Sequence, residues 1–147
     1  MIRPVRPQDI PSVSALIQNT VLVSNSADYD LEVIGALQDN FSQRGLRSLT
    51  ARRRIFVYDR GGRICGVVGL EGEAVCNLFV APDEQGRGIG QELLEHVEAL
   101  AKEEGLSGLS LDSSLTAMGF YERLGYRRTG EQNAGRLGRT IRMEKAF

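Results

Sequence analysis

The chain has almost no charge imbalance: its 147 residues carry 18 Lys and Arg against 19 Asp and Glu, a formal net charge of -1. That excludes a general nucleic-acid binder, whose footprint is strongly basic. Histidine is nearly missing, with His96 the single copy, and the two cysteines, Cys65 and Cys76, form no CxxC pair. A zinc site is therefore not expected, nor any other metal. No apolar run is long enough to span a bilayer, so no membrane partner is expected. Residues 1–11 hold three prolines and several charges, a pattern unlike a secretory signal or a transit peptide, and the expected location is cytoplasmic. Repeats and Pro/Ser-rich linkers are also absent, which predicts a single domain over residues 1–147. What remains is ordinary for a soluble globular fold, with 41% hydrophobic and 25% charged residues and enough length for a core without disulfides.

Periodicity divides this chain. Residues 2–6 read as a short strand, and residues 9–23 as a helix with Val13, Leu16, Ile17 and Val21 on one face. Residues 30–44 read as a second helix, its stripe formed by Leu31, Ile34, Leu37 and Phe41. The period then changes to two: "RIFVYD" and "ICGVVGL" flank "RGGR", a hairpin signal, and "AVCNLFVA" follows after only "EGE". Links this short require antiparallel neighbours. From Ile89 the residues Leu93, Leu94, Val97, Leu100 and Ala101 mark a long amphipathic helix, stopped at Gly105. Residues 106–112 then form a strand, 115–124 a helix ended by Gly125, and 126–129 and 140–145 the last strands. This order predicts an α/β (α+β) fold: a mixed, mostly antiparallel central sheet with helices on both faces.

Between the third long strand and the long helix stands "QGRGIG", residues 85–90. A helix that starts there leaves its first four amides unpartnered at the positive end of its dipole. Gly86, Gly88 and Gly90 let backbone approach an anion closely, and Arg87 adds a charge-assisted donor. The string reads as a phosphate cradle or, taken alone, as a tight helix entrance. A P-loop would need Lys-Ser/Thr after its last glycine, where Gln91 and Glu92 stand. A dinucleotide fold would put the turn after a first parallel strand, not after an antiparallel meander.

Three stretches carry a family resemblance. Gln85, Gly88 and Gly90, directly after "LFVAPDE", resemble the Gln/Arg-x-x-Gly-x-Gly/Ala pyrophosphate loop of the GNAT superfamily of acyl-CoA-dependent N-acyltransferases. "SSLTAMGFYERLGYRR" resembles the later strand-helix motif of that family, and "IRMEKAF" its last strand. The resemblance implies acetyl-CoA as cosubstrate. Leu78, Phe79 and Val80 would pair their main chain with the pantetheine arm, as an added strand does; their side chains read as core. Gln85, Gly86, Arg87, Gly88, Ile89, Gly90 and Gln91 would surround the pyrophosphate. Ser114 stands where many members have an Asn that contacts the cofactor.

Tyr121 matches the position of the family's general acid, which protonates the departing thiolate. By spacing alone it reads as core, since Ala117, Tyr121 and Leu124 share a helical face. Backbone N–H groups around Phe79 and Val80 would polarise the thioester carbonyl. No base is assigned: Glu71 and Glu73 read as turn charges, Asp112 as a strand end, and His96 as a surface residue beside Glu92, Glu95 and Glu98. The cysteines in their strands read as inert packing. The acceptor would enter past residues 21–29 and the loop 131–139; Tyr29 would line that entrance or simply pack, and Asp28, Asp30 and Glu32 would attract a cationic amine or, as suffices, be the acids that a helix N-terminus prefers. The function so implied is transfer of acetyl from acetyl-CoA to a small-molecule or peptide primary amine by direct attack in a ternary complex. The alternative is a non-catalytic acyl-CoA-binding sensor. A homodimer is left open.

Overall fold

In the computed structural model, which describes residues 1–25, 31–133 and 139–147, seven strands form one sheet in the order β1-β2-β3-β4-β5-β7-β6. They are β1 (Ile2–Pro4), β2 (Arg54–Arg60), β3 (Arg63–Glu71), β4 (Ala74–Val80), β5 (Gly108–Ser113), β6 (Arg127–Asn133) and β7 (Arg139–Ala146). The helices are α1 (Ile10–Thr20), α2 (Leu31–Asn40), α3 (Gln43–Leu49), α4 (Ile89–Glu103) and α5 (Met118–Arg123). Connection length explains the pairing. Arg60 pairs with Arg63 and Glu71 with Ala74 across two-residue links, so β2, β3 and β4 run antiparallel. Only the β4–β5 neighbours are parallel, and their connection contains α4.

Alternation along the strands sends side chains to two cores. Cys65, Val68 and Leu70 face Leu93, Leu94, Val97 and Ala101 of α4, with Tyr121 of α5 in the same cluster. On the opposite face Ile55, Val57 and Val67 meet Val13 and Ile17 of α1, Ile34 of α2 and Leu46 of α3. Full burial of each such aliphatic chain stabilises by about 1.5–3 kcal/mol. The expected architecture, a mostly antiparallel mixed sheet covered on both faces, is the one observed. Among the described residues no helix is long and apolar enough to cross a membrane.

Several expectations need correction. The stretch expected as one helix to residue 44 is two, because the Ser42 hydroxyl accepts from the Gly45 N–H at 3.1 Å and starts α3 afresh. Leu31, expected on the apolar stripe, is 86% exposed. The first helix changes at Val21 to a π-helical turn, Val21–Asn25. The helix expected over 115–124 is shorter, because the Ser114 hydroxyl holds the Ala117 N–H at 3.2 Å and delays the helix to Met118. His96 is not a surface residue: it is half-buried, its ring edge-on to Phe56 at 4.8 Å between centroids. Asp28, Tyr29 and Asp30 lie outside the described residues, as do residues 134–138 of the expected entrance loop.

One irregularity in β4 shapes the rest. Val67 pairs with Phe79 and Gly69 with Cys76, so Asn77 and Leu78 both stand opposite Val68, a β-bulge. Asn77 takes φ +39° there, alone among described non-glycine residues in having positive φ. Its side chain folds over Gly69, where a Cβ would lie 2.4 Å from Asn77 Oδ1. Arg53 Nη1 donates to that oxygen at 3.2 Å, which blocks a simple retreat. Gly69→Ala is therefore expected to lower unfolding stability by about 1–3 kcal/mol in urea titrations. In an Asn77→Gly background the same change should cost less than about 0.5 kcal/mol, and equal costs in both backgrounds would refute the contact.

Candidate active site

The bulge falls in the part of β4 that has parted from β5. The two strands share a single paired position, Ala74 with Ser110, so β4 runs on to Val80 with no neighbour on that side. Ladder alternation decides which main-chain groups face the gap. The Ala81 N–H donates to the Cys65 carbonyl at 2.8 Å, and the positions before it pair Val80 with Gly66 and Phe79 with Val67. Phe79 therefore turns its amide and carbonyl toward β3, while those of Val80 face the gap. In agreement, the Val80 carbonyl accepts from Gln85 Nε2 at 3.1 Å rather than from β3. An unpaired strand edge inside a sheet is ready to receive an extended ligand.

A cavity of about 690 Å³ fills the wedge. It is lined by Leu78, Phe79, Val80, Gln85, Gly86, Gly88, Ile89, Gly90, Gln91, Ser114 and Tyr121, every site residue expected from the sequence except Arg87. At its polar end α4 begins. Gly88 caps the helix at φ +84°, a conformation that suits glycine, and the first helical bond runs from the Glu92 N–H to the Gly88 carbonyl at 3.0 Å. The amides of Ile89, Gly90 and Gln91 are thus left for a ligand at the positive end of a 15-residue helix. Gly90 has a second reason to be glycine: a Cβ there would come within 3.3 Å of the Phe120 ring.

Arg87 does not line the cavity. Its guanidinium turns to Glu84 at 3.5 Å, and the buried Glu84 carboxylate also takes Arg60 at 2.6 Å and Arg63 at 3.1 Å. Glu84 so ties the glycine loop to the β2–β3 hairpin. Sequence reasoning passed over it as part of "APDE", because a partner more than twenty residues upstream gives no local signal. It also missed Thr20, Thr116, Ala117, Phe120, Arg123 and Leu124, which with Glu84 complete the cavity lining.

A second chamber of about 310 Å³ lies at the other mouth of the gap. Leu78, Phe79, Ser114, Ala117 and Tyr121 line both spaces, so the two meet beside Tyr121. The Tyr121 ring is set edge-on to Phe120 at 5.1 Å and to Tyr126 at 5.9 Å. Tyr126 is anchored in turn by donating to the buried Glu98 carboxylate at 2.8 Å. Burial first, and the Cys76 thiol second, push the Tyr121 phenol above its ordinary pKa, so it stays protonated across neutral pH as a donor. Burial likewise raises the Cys65 and Cys76 thiols, which removes thiolate character from both. Of the acids considered as bases, Asp112 is on the chamber wall, whereas Glu71 is held by Arg53 at 2.6 Å. Glu73 is exposed, and so is Glu32 at the start of α2.

Residues 26–147 match the family model described as the acetyltransferase (GNAT) domain. A peptidyl-lysine N-acetyltransferase of Salmonella typhimurium, YjaB, is 38% identical over 74 residues, 50% of each chain, so the chain spans about half the length of that curated relative. Among solved structures, a GCN5-related N-acetyltransferase from Rhodopseudomonas palustris superposes with a TM-score of 0.93 at 23% identity, covering 100% of this chain and 95% of that one. The PaiA N-acetyltransferase of Thermoplasma acidophilum, solved with coenzyme A, gives 0.85 at 17% identity, covering 100% and 98%. At these identities the structural likeness speaks for the fold alone.

The protonation state of Tyr121 can be read directly. Subtracting the ultraviolet pH titration of a Tyr121→Phe variant from that of the parent should leave an ionisation well above the ordinary phenol value of about 10. A difference curve centred at that ordinary value would contradict the buried, neutral phenol.

Proposed function

The chain belongs to the GNAT acetyltransferase family, and from that membership we propose that residues 1–147 act as one domain that moves acetyl from acetyl-CoA to a primary amine within a ternary complex. The observation that carries this reading is the meeting of two chambers beside a neutral Tyr121, over the unpaired edge of β4. The larger one takes the cofactor. Its pyrophosphate lies on the amides of Ile89, Gly90 and Gln91, and its pantetheine arm runs along β4 as a further strand. The smaller one takes the amine. For YjaB that amine is a peptidyl-lysine, as its name says.

The reaction then needs no covalent enzyme intermediate. The amine nitrogen, in its unprotonated form, attacks the thioester carbon, and the carbonyl oxygen gains charge beside the Val80 N–H, which faces the gap. As the C–S bond breaks, Tyr121 gives its proton to the sulfur. The proton lost by the attacking nitrogen restores the phenol, so the products are the N-acetyl amine and free CoA thiol, and the enzyme ends as it began. Neither cysteine takes part.

Replacing Tyr121 by Phe should lower kcat by about 10²–10⁴-fold, the usual worth of a positioned acid, with acetyl-CoA affinity changed by less than about threefold. The measurement is thiol release from acetyl-CoA with an amine panel, alongside calorimetric binding. Unchanged turnover would remove Tyr121 from the chemistry. Tight CoA binding with no thiol release from any amine would favour the non-catalytic sensor.

A further inference from the structure

The smaller chamber has a chemical character of its own. Among the described residues its wall carries two guanidinium groups, Arg53 and Arg142, against one carboxylate, Asp112, and no lysine or histidine. Asp112 answers Arg142 at 3.5 Å and Glu71, outside the lining, answers Arg53 at 2.6 Å, so the charge is near balance, and what the wall offers an acceptor is guanidinium N–H donors, which suit one that brings negative charge. The donors are also under-used. Each guanidinium has five N–H groups. Among the described residues Arg53 spends Nε on Glu71 at 2.6 Å and Nη1 on Asn77 at 3.2 Å, which leaves Nη2 without a partner. Arg142 donates from Nη2 to Ser110 at 3.2 Å and lies 3.5 Å from Asp112 through Nη1, which leaves Nε.

Two further polar atoms of residues on this wall have no partner among the described residues. Because Arg53 donates to Asn77 Oδ1, the Asn77 amide is oriented with Nδ2 on the other side, and Nδ2 is buried without an acceptor. Thr140 Oγ1 is buried and unpartnered in the same way, and Thr140 also lines this chamber. Unsatisfied buried polar groups are rare in folded proteins, and two against one small chamber call for an incoming oxygen acceptor. A carboxylate offers about four acceptor sites, and guanidinium edges match its plane. With a volume of about 310 Å³, at the small end of ligand cavities, the chamber suits a compact molecule.

We propose that the acceptor is a small amine that also carries a carboxylate, an amino acid, held through that carboxylate by Arg142 and Arg53 with Asn77 and Thr140 beside them. This rests on the acetyltransferase reading above and narrows it. A peptidyl lysine or a polyamine brings no such group to these donors.

The test uses the purified chain with saturating acetyl-CoA and thiol release as readout. The acceptors are the standard amino acids, their carboxamides, spermidine and a lysine-containing peptide with blocked termini. At least one free amino acid should exceed its own carboxamide in kcat/KM by about tenfold or more, the scale of one lost charge-assisted pair. Arg142→Gln should raise KM for that amino acid by about tenfold or more, with CoA affinity by calorimetry unchanged, which also reports that the variant is folded. On protein that binds CoA, equal or faster turnover of carboxamides, spermidine or the peptide overturns the proposal, and so does no turnover of any free amino acid. An unaltered KM in folded Arg142→Gln overturns the assignment of Arg142. Protein that binds no CoA fails at the proposed function itself, and this inference falls with it.

Discussion

The site depends on one departure from regular pairing: β4 gives up β5 after a single paired position. In a sheet interior that leaves main-chain groups without partners, an arrangement that folding tolerates only where something else answers them. The bulge at Asn77 lies within the unpaired stretch. Two residues of β4 occupy the space opposite one residue of β3, the strand twists locally, and Val80 ends with its amide toward the gap. Gly69 and Arg53 hold the bulge from either side of the Asn77 carboxamide, so a backbone irregularity in the middle of the chain becomes a fixed feature rather than a fluctuation.

The same departure joins two chemistries that would otherwise lie apart. On one side the start of α4 presents amides and the positive end of a dipole, and Glu84 keeps the arginines of the β2–β3 hairpin and Arg87 occupied beside it. On the proposed reading, phosphate there would be held chiefly by backbone amides, since Arg60, Arg63 and Arg87 are engaged by Glu84. On the other side a small chamber carries two guanidinium groups and a carboxylate, Arg53, Arg142 and Asp112. Between them sits a phenol kept neutral by burial, set in place by the chain of rings and carboxylate from Phe120 through Tyr126 to Glu98. On the proposed reading, separate elements would supply phosphate recognition, proton donation and acceptor charge, and the gap between β4 and β5 is what they share.

The features legible in the sequence were those written locally. The glycines after "LFVAPDE" announced the start of α4, period-two runs announced the meander, and "GFYERLGY" placed Tyr121 on a helix. What stayed hidden depends on contacts across the chain. "AVCNLFVA" reads as an unbroken strand, and nothing in it tells that Asn77 needs Gly69 opposite. The break between α2 and α3 turns on which of two competing signals prevails at Ser42, and the cap outweighs the apolar period. His96, flanked by glutamates on α4, looks solvated until Phe56 of β2 meets its ring edge-on. Arg53, Asp112 and Arg142 come from β2's edge, β5 and β7, and only the assembled sheet makes them neighbours.

The most direct measurement is amide hydrogen exchange, resolved residue by residue by NMR, with and without saturating CoA. If the unpaired edge of β4 and the start of α4 are what hold the cofactor, exchange at Val80, Ile89, Gly90 and Gln91 slows on binding, while the amide of Phe79, already turned to β3, changes little. Exchange at those four positions that is unaltered by bound CoA would contradict the account.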